Sequence, residues 1–378
     1  MRPDFQLLIK PVSADCNQSC AYCFYRRVGD IYSKTPEHRM SAETLDALVR
    51  RFLELRLPAS VFCWQGGEPM LAGLGFYQRA VGLMQAHGRA GQSVTNALQT
   101  NGLLIDPDWC RFLAQYRFLV GISLDGPREL HDHYRGRGTY DAVLRAIRCM
   151  TEHHVEFNAL AVVNDLTARN ARPIYTHLRE LGIQFLQFIP CVETGPDGRP
   201  APFSVSPEAY GDFLCELFDL WYPDAKAGVS ERLFDALLSR AVLGNSGLCY
   251  LDHGCGNYFV IEYNGDAYPC DFFVEEDQRL GNILTTPFDT LYDRGRARTF
   301  RALRHRIPDS CAPCRWKDLC RGGCLKDRAR IGARYDQPTY FCTAYQRLFG
   351  HAEGRIRELA EYVKKLRAGA NGGEPKTG

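Results

Sequence analysis

Three cysteines, Cys16, Cys20 and Cys23, stand in CxxxCxxC spacing within Cys-Asn-Gln-Ser-Cys-Ala-Tyr-Cys, and Phe24 and Tyr25 follow directly. One loop can carry all three thiols to a single metal centre. A cubane [4Fe-4S] cluster normally takes four thiolates, so three leave one iron for a ligand that is not protein. An open iron is a place for a reagent. The competing reading is a structural zinc loop with its fourth ligand elsewhere. The position of the triad favours iron, because it follows the apolar run 5–12, where a strand would end.

Eight more cysteines lie close together: Cys249, Cys255, Cys270, Cys311, Cys314, Cys320, Cys324 and Cys342. Eight is two sets of four, and the dense stretch 311–324 must bring several thiols together. Spacing alone admits two zinc sites as readily as two clusters. A disulfide scaffold belongs to short secreted chains, which this is not. The remaining cysteines, Cys63, Cys110, Cys149, Cys191 and Cys215, stand singly among apolar residues and read as small core hydrophobes. Between Cys255 and Cys270 an Asn264-Gly265 turn joins two short β-runs, a hairpin that would hold both cysteines at neighbouring strand ends. Asp271 follows Cys270, so its carboxylate would lie beside a metal centre, where proton acceptance is chemically open to it. On residue type alone an ordinary hydrogen-bonding aspartate is the favoured reading.

The elements that must position these residues are legible as a repeat. Apolar, β-rich runs at 7–12, 60–64, 93–99, 118–124, 156–163 and 185–189 alternate with helical patterns starting near Ser41, Gly75, Pro107, Thr139 and Ala168. That is the signature of βαβ units and a parallel sheet. Six units are too few for a closed eight-stranded barrel, so a partial barrel or an open sheet with its ligand at the strand C-termini is expected. The strand ends carry Gln65-Gly66-Gly67-Glu68-Pro69, Gln99-Thr100-Asn101-Gly102 and Ser123-Leu124-Asp125-Gly126-Pro127. Gly66 and Gly67 would let backbone approach a ligand, and Glu68 offers a carboxylate to an amino group. A Gly/Pro-rich loop at 194–202 ends the repeat and is either a substrate opening or a plain surface connection. Helices are expected at 207–222, 230–243 and 345–366, with a disordered tail from Ala368.

The chain has 378 residues, with 46 Lys and Arg against 44 Asp and Glu, a net charge of +2. That length suits one large α/β domain and a smaller one. The charge balance gives no field to gather nucleic acid or an anionic membrane. No apolar stretch is long enough to span a bilayer, and residues 1–10 lack a secretory pattern. A cytoplasmic protein is expected.

Taken together, the sequence resembles the radical S-adenosylmethionine enzymes with a C-terminal SPASM domain, and within them the anaerobic sulfatase-maturating enzymes. The likeness is carried by Cys-Ala-Tyr-Cys-Phe-Tyr, Gln-Gly-Gly-Glu-Pro, Gln-Thr-Asn-Gly, Asp-Gly-Pro, Phe-Leu-Gln-Phe-Ile and Tyr-Pro-Cys-Asp-Phe-Phe, and runs from about Leu7 to Phe349. It implies an α/β partial (β/α)6 radical SAM barrel over 1–230, a SPASM-type iron-sulfur domain over 231–349, and a terminal helix and tail over 350–378. It implies three [4Fe-4S] clusters: an open one on Cys16, Cys20 and Cys23, one on Cys249, Cys255, Cys270 and Cys324, and one on Cys311, Cys314, Cys320 and Cys342. Tyr22, Gly67, Ser123, Arg135 and Val192 match the family's S-adenosylmethionine positions, with Val192 in place of the usual leucine. Asp271 matches the family's proposed base.

The implied reaction oxidises a cysteine or serine of an unfolded sulfatase peptide to Cα-formylglycine. A 5′-deoxyadenosyl radical takes the Cβ hydrogen, Asp271 takes the thiol or hydroxyl proton, and an auxiliary cluster accepts the second electron. An external low-potential donor of the flavodoxin or ferredoxin class would reduce the open cluster. The alternatives are thioether or carbon-carbon cross-linking of a ribosomally made peptide on the same architecture, and a zinc-stabilised binding module without catalysis.

Overall fold

The computed structural model describes residues 5–252, 254–255, 258–329 and 335–371. Its chain divides into two units, one formed by residues 1–160 with 254–306 and the other by 161–253 with 307–378. The strands, in chain order, are β1 (Gln6–Lys10), β2 (Ala59–Trp64), β3 (Ser93–Thr100), β4 (Leu119–Ser123), β5 (Phe157–Val163), β6 (Phe185–Pro190), β7 (Ser230–Glu231), β8 (Tyr258–Glu262), β9 (Asp266–Tyr268) and β10 (Gly281–Asn282).

In the first unit, β1 to β5 pair in sequence order and in parallel, through Leu7↔Phe62, Ala59↔Ser93, Ala97↔Leu119 and Val120↔Phe157. Helices fill the crossovers, as parallel pairing demands: Ala42–Leu53, Leu74–His87, Pro107–Gln115 and Thr139–Glu152. Ser41 caps the first of them, accepting from Thr44 N at 3.0 Å, and Asp106 caps the third, accepting from Trp109 N at 2.9 Å. Each cap satisfies a backbone donor that the first turn leaves orphaned. Inward side chains such as Leu7, Ile9, Phe62, Val120 and Ile122 are fully buried.

The expected hairpin is present as β8 and β9, antiparallel through Val260↔Tyr268. Its placement was not legible from the sequence. The strand β8 pairs in parallel with β1, from Gln6↔Tyr258 to Lys10↔Glu262, so a segment some 250 residues downstream extends the same sheet beside the strand that leads into Cys16. A second difference is the helix Arg128–Arg135, which was not among the expected helices. Its short length and run of charged residues hide it from apolar periodicity.

In the second unit, β6 pairs with β7 in parallel through Phe185↔Ser230. The helices Pro207–Ala225 and Arg232–Leu243 pack on the long helix Cys342–Asn371. Gly211 permits the closest approach, since a Cβ there would lie 3.2 Å from Ala344 Cα. The long helix runs unbroken across position 349, where the sequence suggested a boundary, and through Ala368 to Asn371, where it suggested a disordered tail. The rest of that tail, 372–378, lies outside the described residues. No helix among the described residues is long and apolar enough to cross a membrane.

Candidate active site

The loop that carries Cys16, Cys20 and Cys23 leaves β1 through a tight turn. Ser13 sits at φ 49°, with Ser13 N donating to Lys10 O at 3.2 Å and Asp15 N to Val12 O at 3.0 Å. The glycine-rich end of β2 holds this turn from outside. Gly67 N donates to Ser13 O and Glu68 N to Asp15 O, both at 2.8 Å. A Cβ on Gly67 would fall 2.1 Å from Asp15 O, and one on Gly66, at φ +138°, 2.6 Å from Ser13 O. These glycines therefore admit the backbone of the cysteine loop itself, a different use from the ligand approach expected of them.

Glu68 also differs from expectation. It is fully buried, and its carboxylate accepts from Met70 N at 3.0 Å, Thr100 Oγ1 at 2.9 Å and Asn101 N at 2.8 Å. Burial raises its pKa to about 7, against the lowering effect of those donors. Glu68 ties the end of β2 to the end of β3. Asn101, so placed, reaches the loop, donating from Nδ2 to Asn17 Oδ1 at 2.7 Å.

Tyr22 and Arg135 converge on Asp125, a residue of the strand-end cluster 123–127 to which the sequence reading gave no role of its own. The Tyr22 hydroxyl donates to Asp125 Oδ2, Arg135 Nε donates to the same oxygen at 2.8 Å, and Arg135 Nη2 donates to Oδ1 at 3.0 Å. Asp125 is fully buried; the Arg135 guanidinium holds its pKa below the ordinary value against the cost of burial. This triad fastens the cysteine loop to the end of β4 and the helix Arg128–Arg135. Ser123 accepts from Gln99 Nε2 at 3.2 Å. Val192 lies in the second unit, fully buried.

Asp271 opens a short 3-10 turn after β9, beside the segment that follows Cys23. Phe24 meets Phe272 with ring centroids 4.7 Å apart, Arg27 donates to Phe272 O at 2.7 Å, and Arg27 Nη1 lies 3.0 Å from Glu275 Oε1. Tyr25 and Val28 pack with Val260, Tyr268 and Val274 in one buried cluster. Lys10, at the end of β1, places Nζ 2.5 Å from Asp271 Oδ1 and 4.2 Å over the Tyr25 ring. The Tyr25 hydroxyl donates to Glu262, whose pKa burial raises to about 7. The Cys16 loop and Asp271 thus belong to one packed body.

The thiols fit an iron-sulfur cluster better than a single ion. Cys16, Cys20 and Cys23 do not form a group with sulfurs all within 4.8 Å of one another; among the described residues a different trio does. A tetrahedral zinc site needs sulfurs about 3.8 Å apart. Burial pushes the Cys16 thiol up to about 11 and raises Cys20 as well, so metal must displace these protons for the thiolates to form. In the second unit Cys311, Cys314, Cys320 and Cys342 line one small cavity with Thr339 and Gln346.

Comparison with known proteins places this arrangement. The radical SAM superfamily pattern matches residues 11–174, and the iron-sulfur cluster-binding SPASM pattern matches 249–315. A cysteine-type anaerobic sulfatase-maturating enzyme of Clostridium perfringens is 38% identical over 369 residues, spanning 96% of this chain and 100% of that one. The chain belongs to the anaerobic sulfatase-maturating family of radical SAM enzymes. A serine-type member from Bacteroides thetaiotaomicron is 33% identical, over 97% of this chain and 93% of that one. The solved structure of native anSMEcpe with bound AdoMet and Kp18Cys peptide matches with a TM-score of 0.88 at 38% identity, covering 95% of this chain and all of the other.

As a family member the chain is an oxidoreductase with the α/β radical SAM fold and a C-terminal SPASM domain, and its cofactors are [4Fe-4S] clusters and S-adenosylmethionine. The zinc-stabilised module is thereby excluded as the main reading. Asp125 and Lys10 are the residues here that sequence reasoning passed over, and Glu68 was given a ligand-facing role in place of its anchoring one. For Asp125 and Glu68 the signal was present in Asp-Gly-Pro and Gly-Gly-Glu-Pro, but those strings read as turns as readily as they read as anchors.

Proposed function

We propose that the chain oxidises a cysteine or serine of an unfolded sulfatase peptide to Cα-formylglycine, with Asp271 as the base. What supports this reading is the packing of Phe272, the residue after Asp271, on Phe24, directly after Cys23, together with the ion pair of Asp271 to Lys10. Cys16, Cys20 and Cys23 would hold the open cluster, and the eight later cysteines two closed ones. Bound there, the open cluster and S-adenosylmethionine supply the 5′-deoxyadenosyl radical that takes a Cβ hydrogen.

The residues of the chain do the rest by position. Glu68 and Gly67 fix the cysteine loop against β2 and β3, and Asp125 fixes it against β4, so that its thiols keep one geometry. Lys10 orients the Asp271 carboxylate through Oδ1, and a carboxylate is the group that can accept the substrate thiol or hydroxyl proton. An external low-potential protein would supply the reducing electron.

The test is incubation of reduced, iron-loaded protein with S-adenosylmethionine and a Cys-x-Pro-x-Arg peptide or its serine counterpart, read by mass spectrometry. Formylglycine and 5′-deoxyadenosine are expected, and Asp271→Asn should keep the nucleoside while losing most of the aldehyde. Full aldehyde formation by that variant would remove Asp271 from its role. Absence of both products from the unaltered enzyme would refute the proposed activity.

A further inference from the structure

Cys110 and Cys149 stand singly in the sequence and read as core hydrophobes, yet the fold brings them together with a histidine. Cys110 lies in the first turn of helix Pro107–Gln115, while Cys149 and His153 sit four residues apart at the C-terminal end of helix Thr139–Glu152. Among the described residues, these three form the one group of at least three His, Cys, Asp or Glu ligand atoms lying within 4.8 Å of one another. His153 Nδ1 is 3.9 Å from Cys149 Sγ. A tetrahedral zinc ion with bonds of about 2.3 Å to sulfur and about 2.0–2.1 Å to nitrogen sets such ligand atoms roughly 3.5–3.8 Å apart. The trio is therefore close to a ligating arrangement as it stands.

From these positions we infer that Cys110, Cys149 and His153 bind one Zn2+ ion, with water as the fourth ligand, clamping the two helices together. The donor set of two thiolates and one imidazole is a zinc set. Two thiolates neutralise the divalent charge, which suits a site whose inner wall, Cys110, is fully buried. Cys149 and His153 are half-buried, which gives the ion a route in and leaves room for water. His153 Nδ1 lies 2.9 Å from Cys149 O as well as 3.9 Å from Cys149 Sγ, so on zinc binding this nitrogen gives up its proton and exchanges the carbonyl for the metal. Among the described residues no carboxylate joins this group, which leaves the fourth position to water. Binding releases the two thiol protons and changes no oxidation state.

The experiment uses enzyme carrying its full iron complement, so that the cluster cysteines are occupied. After removal of adventitious metal and anaerobic addition of Zn2+, gel-filtered protein should retain about one zinc per chain, with zinc-edge X-ray absorption showing two sulfur ligands at about 2.3 Å. Cys149→Ser and His153→Gln, both at half-buried positions, should each weaken zinc retention by at least roughly 100-fold. Iron content and S-adenosylmethionine cleavage should stay as in the unaltered enzyme, which separates loss of this site from loss of the fold. Zinc retained equally by both variants, a sulfur-free zinc spectrum, or no retained zinc in the unaltered enzyme would each overturn the assignment.

Discussion

Lys10 Nζ lies 2.5 Å from Asp271 Oδ1, joining the last residue of β1 to the first residue after Cys270, with Lys10 buried and Asp271 13% exposed. The contact exists because β8 pairs with β1 and returns the chain past Lys10. An ammonium at one oxygen both orients a carboxylate and offsets its desolvation. Glu262, opposite Lys10 in the register, would otherwise set a second acid beside Asp271. Lys10→Met keeps most of the stem and removes the charge. Formylglycine formation should fall roughly 10- to 100-fold, about 1.4–2.7 kcal/mol, on loss of the ion pair. Cleavage of S-adenosylmethionine without peptide should persist, measured as 5′-deoxyadenosine by chromatography. Equal loss of both products would mean that Lys10 only supports the fold.

Gly67→Ala tests how the cysteine loop is held. Its Cβ would meet Asp15 O at 2.1 Å and Ala14 C at 2.6 Å, both backbone atoms with no side-chain freedom to yield. The loop must shift, and the thiols shift with it. Iron content should fall by about a third, the share of one cluster in three, with loss of the reduced open-cluster signal in electron paramagnetic resonance. Gly75→Ala, where an added Cβ meets nothing within 4 Å, should leave iron unchanged.

The chemistry of this site was more legible than its support. Cys16, Cys20, Cys23 and Asp271 are visible in a string because ligand spacing and a neighbouring residue are local facts. The alternating βα pattern was visible for the same reason, since periodicity is local. Lys10 was not, because its role follows from β1 pairing with a strand far along the chain. Asp125 was hidden inside a turn motif whose ordinary meaning is steric. Glu68 was read as a ligand-facing carboxylate, although its three donors come from its own turn and from β3. That Cys110 and Cys149 lie side by side was not legible, because sequence distance says nothing about two helices that pack together.

Glu68→Gln has a pH signature. Burial raises the folded-state pKa of Glu68 from 4.5 to about 7, so the folded chain binds more protons than the unfolded chain between those values. Stability drawn from this group is therefore fully present below about pH 4.5 and declines as pH rises through about 7, by up to a few kcal/mol. Glutamine cannot ionise, and its amide nitrogen faces a backbone donor at Asn101, costing about 1–3 kcal/mol at any pH. The stability gap between the unaltered enzyme and the variant should thus be widest near pH 5 and narrow by pH 8, as read from unfolding midpoints. A gap that widens with pH would show that Glu68 is ionised throughout.

Asp125 accepts hydrogen bonds from both Tyr22 and Arg135, so its loss and the loss of Tyr22 should differ in kind. Tyr22→Phe removes one donor and leaves Asp125 paired in two bonds with Arg135. Asp125→Asn removes the charge opposite a buried guanidinium, a change that costs about 3–5 kcal/mol where no other partner compensates. The asparagine amide also presents donors where Arg135 presents its own. The cysteine loop, tied to β4 through this point, should then loosen at Cys20 and Cys23. Asp125→Asn is expected to lower the unfolding midpoint and weaken S-adenosylmethionine binding at least roughly tenfold, while Tyr22→Phe costs only about 0.5–1.5 kcal/mol in stability. Equilibrium dialysis of labelled S-adenosylmethionine with both variants decides the order. If Tyr22→Phe proved the more damaging, the phenol rather than the ion pair would be what holds the loop.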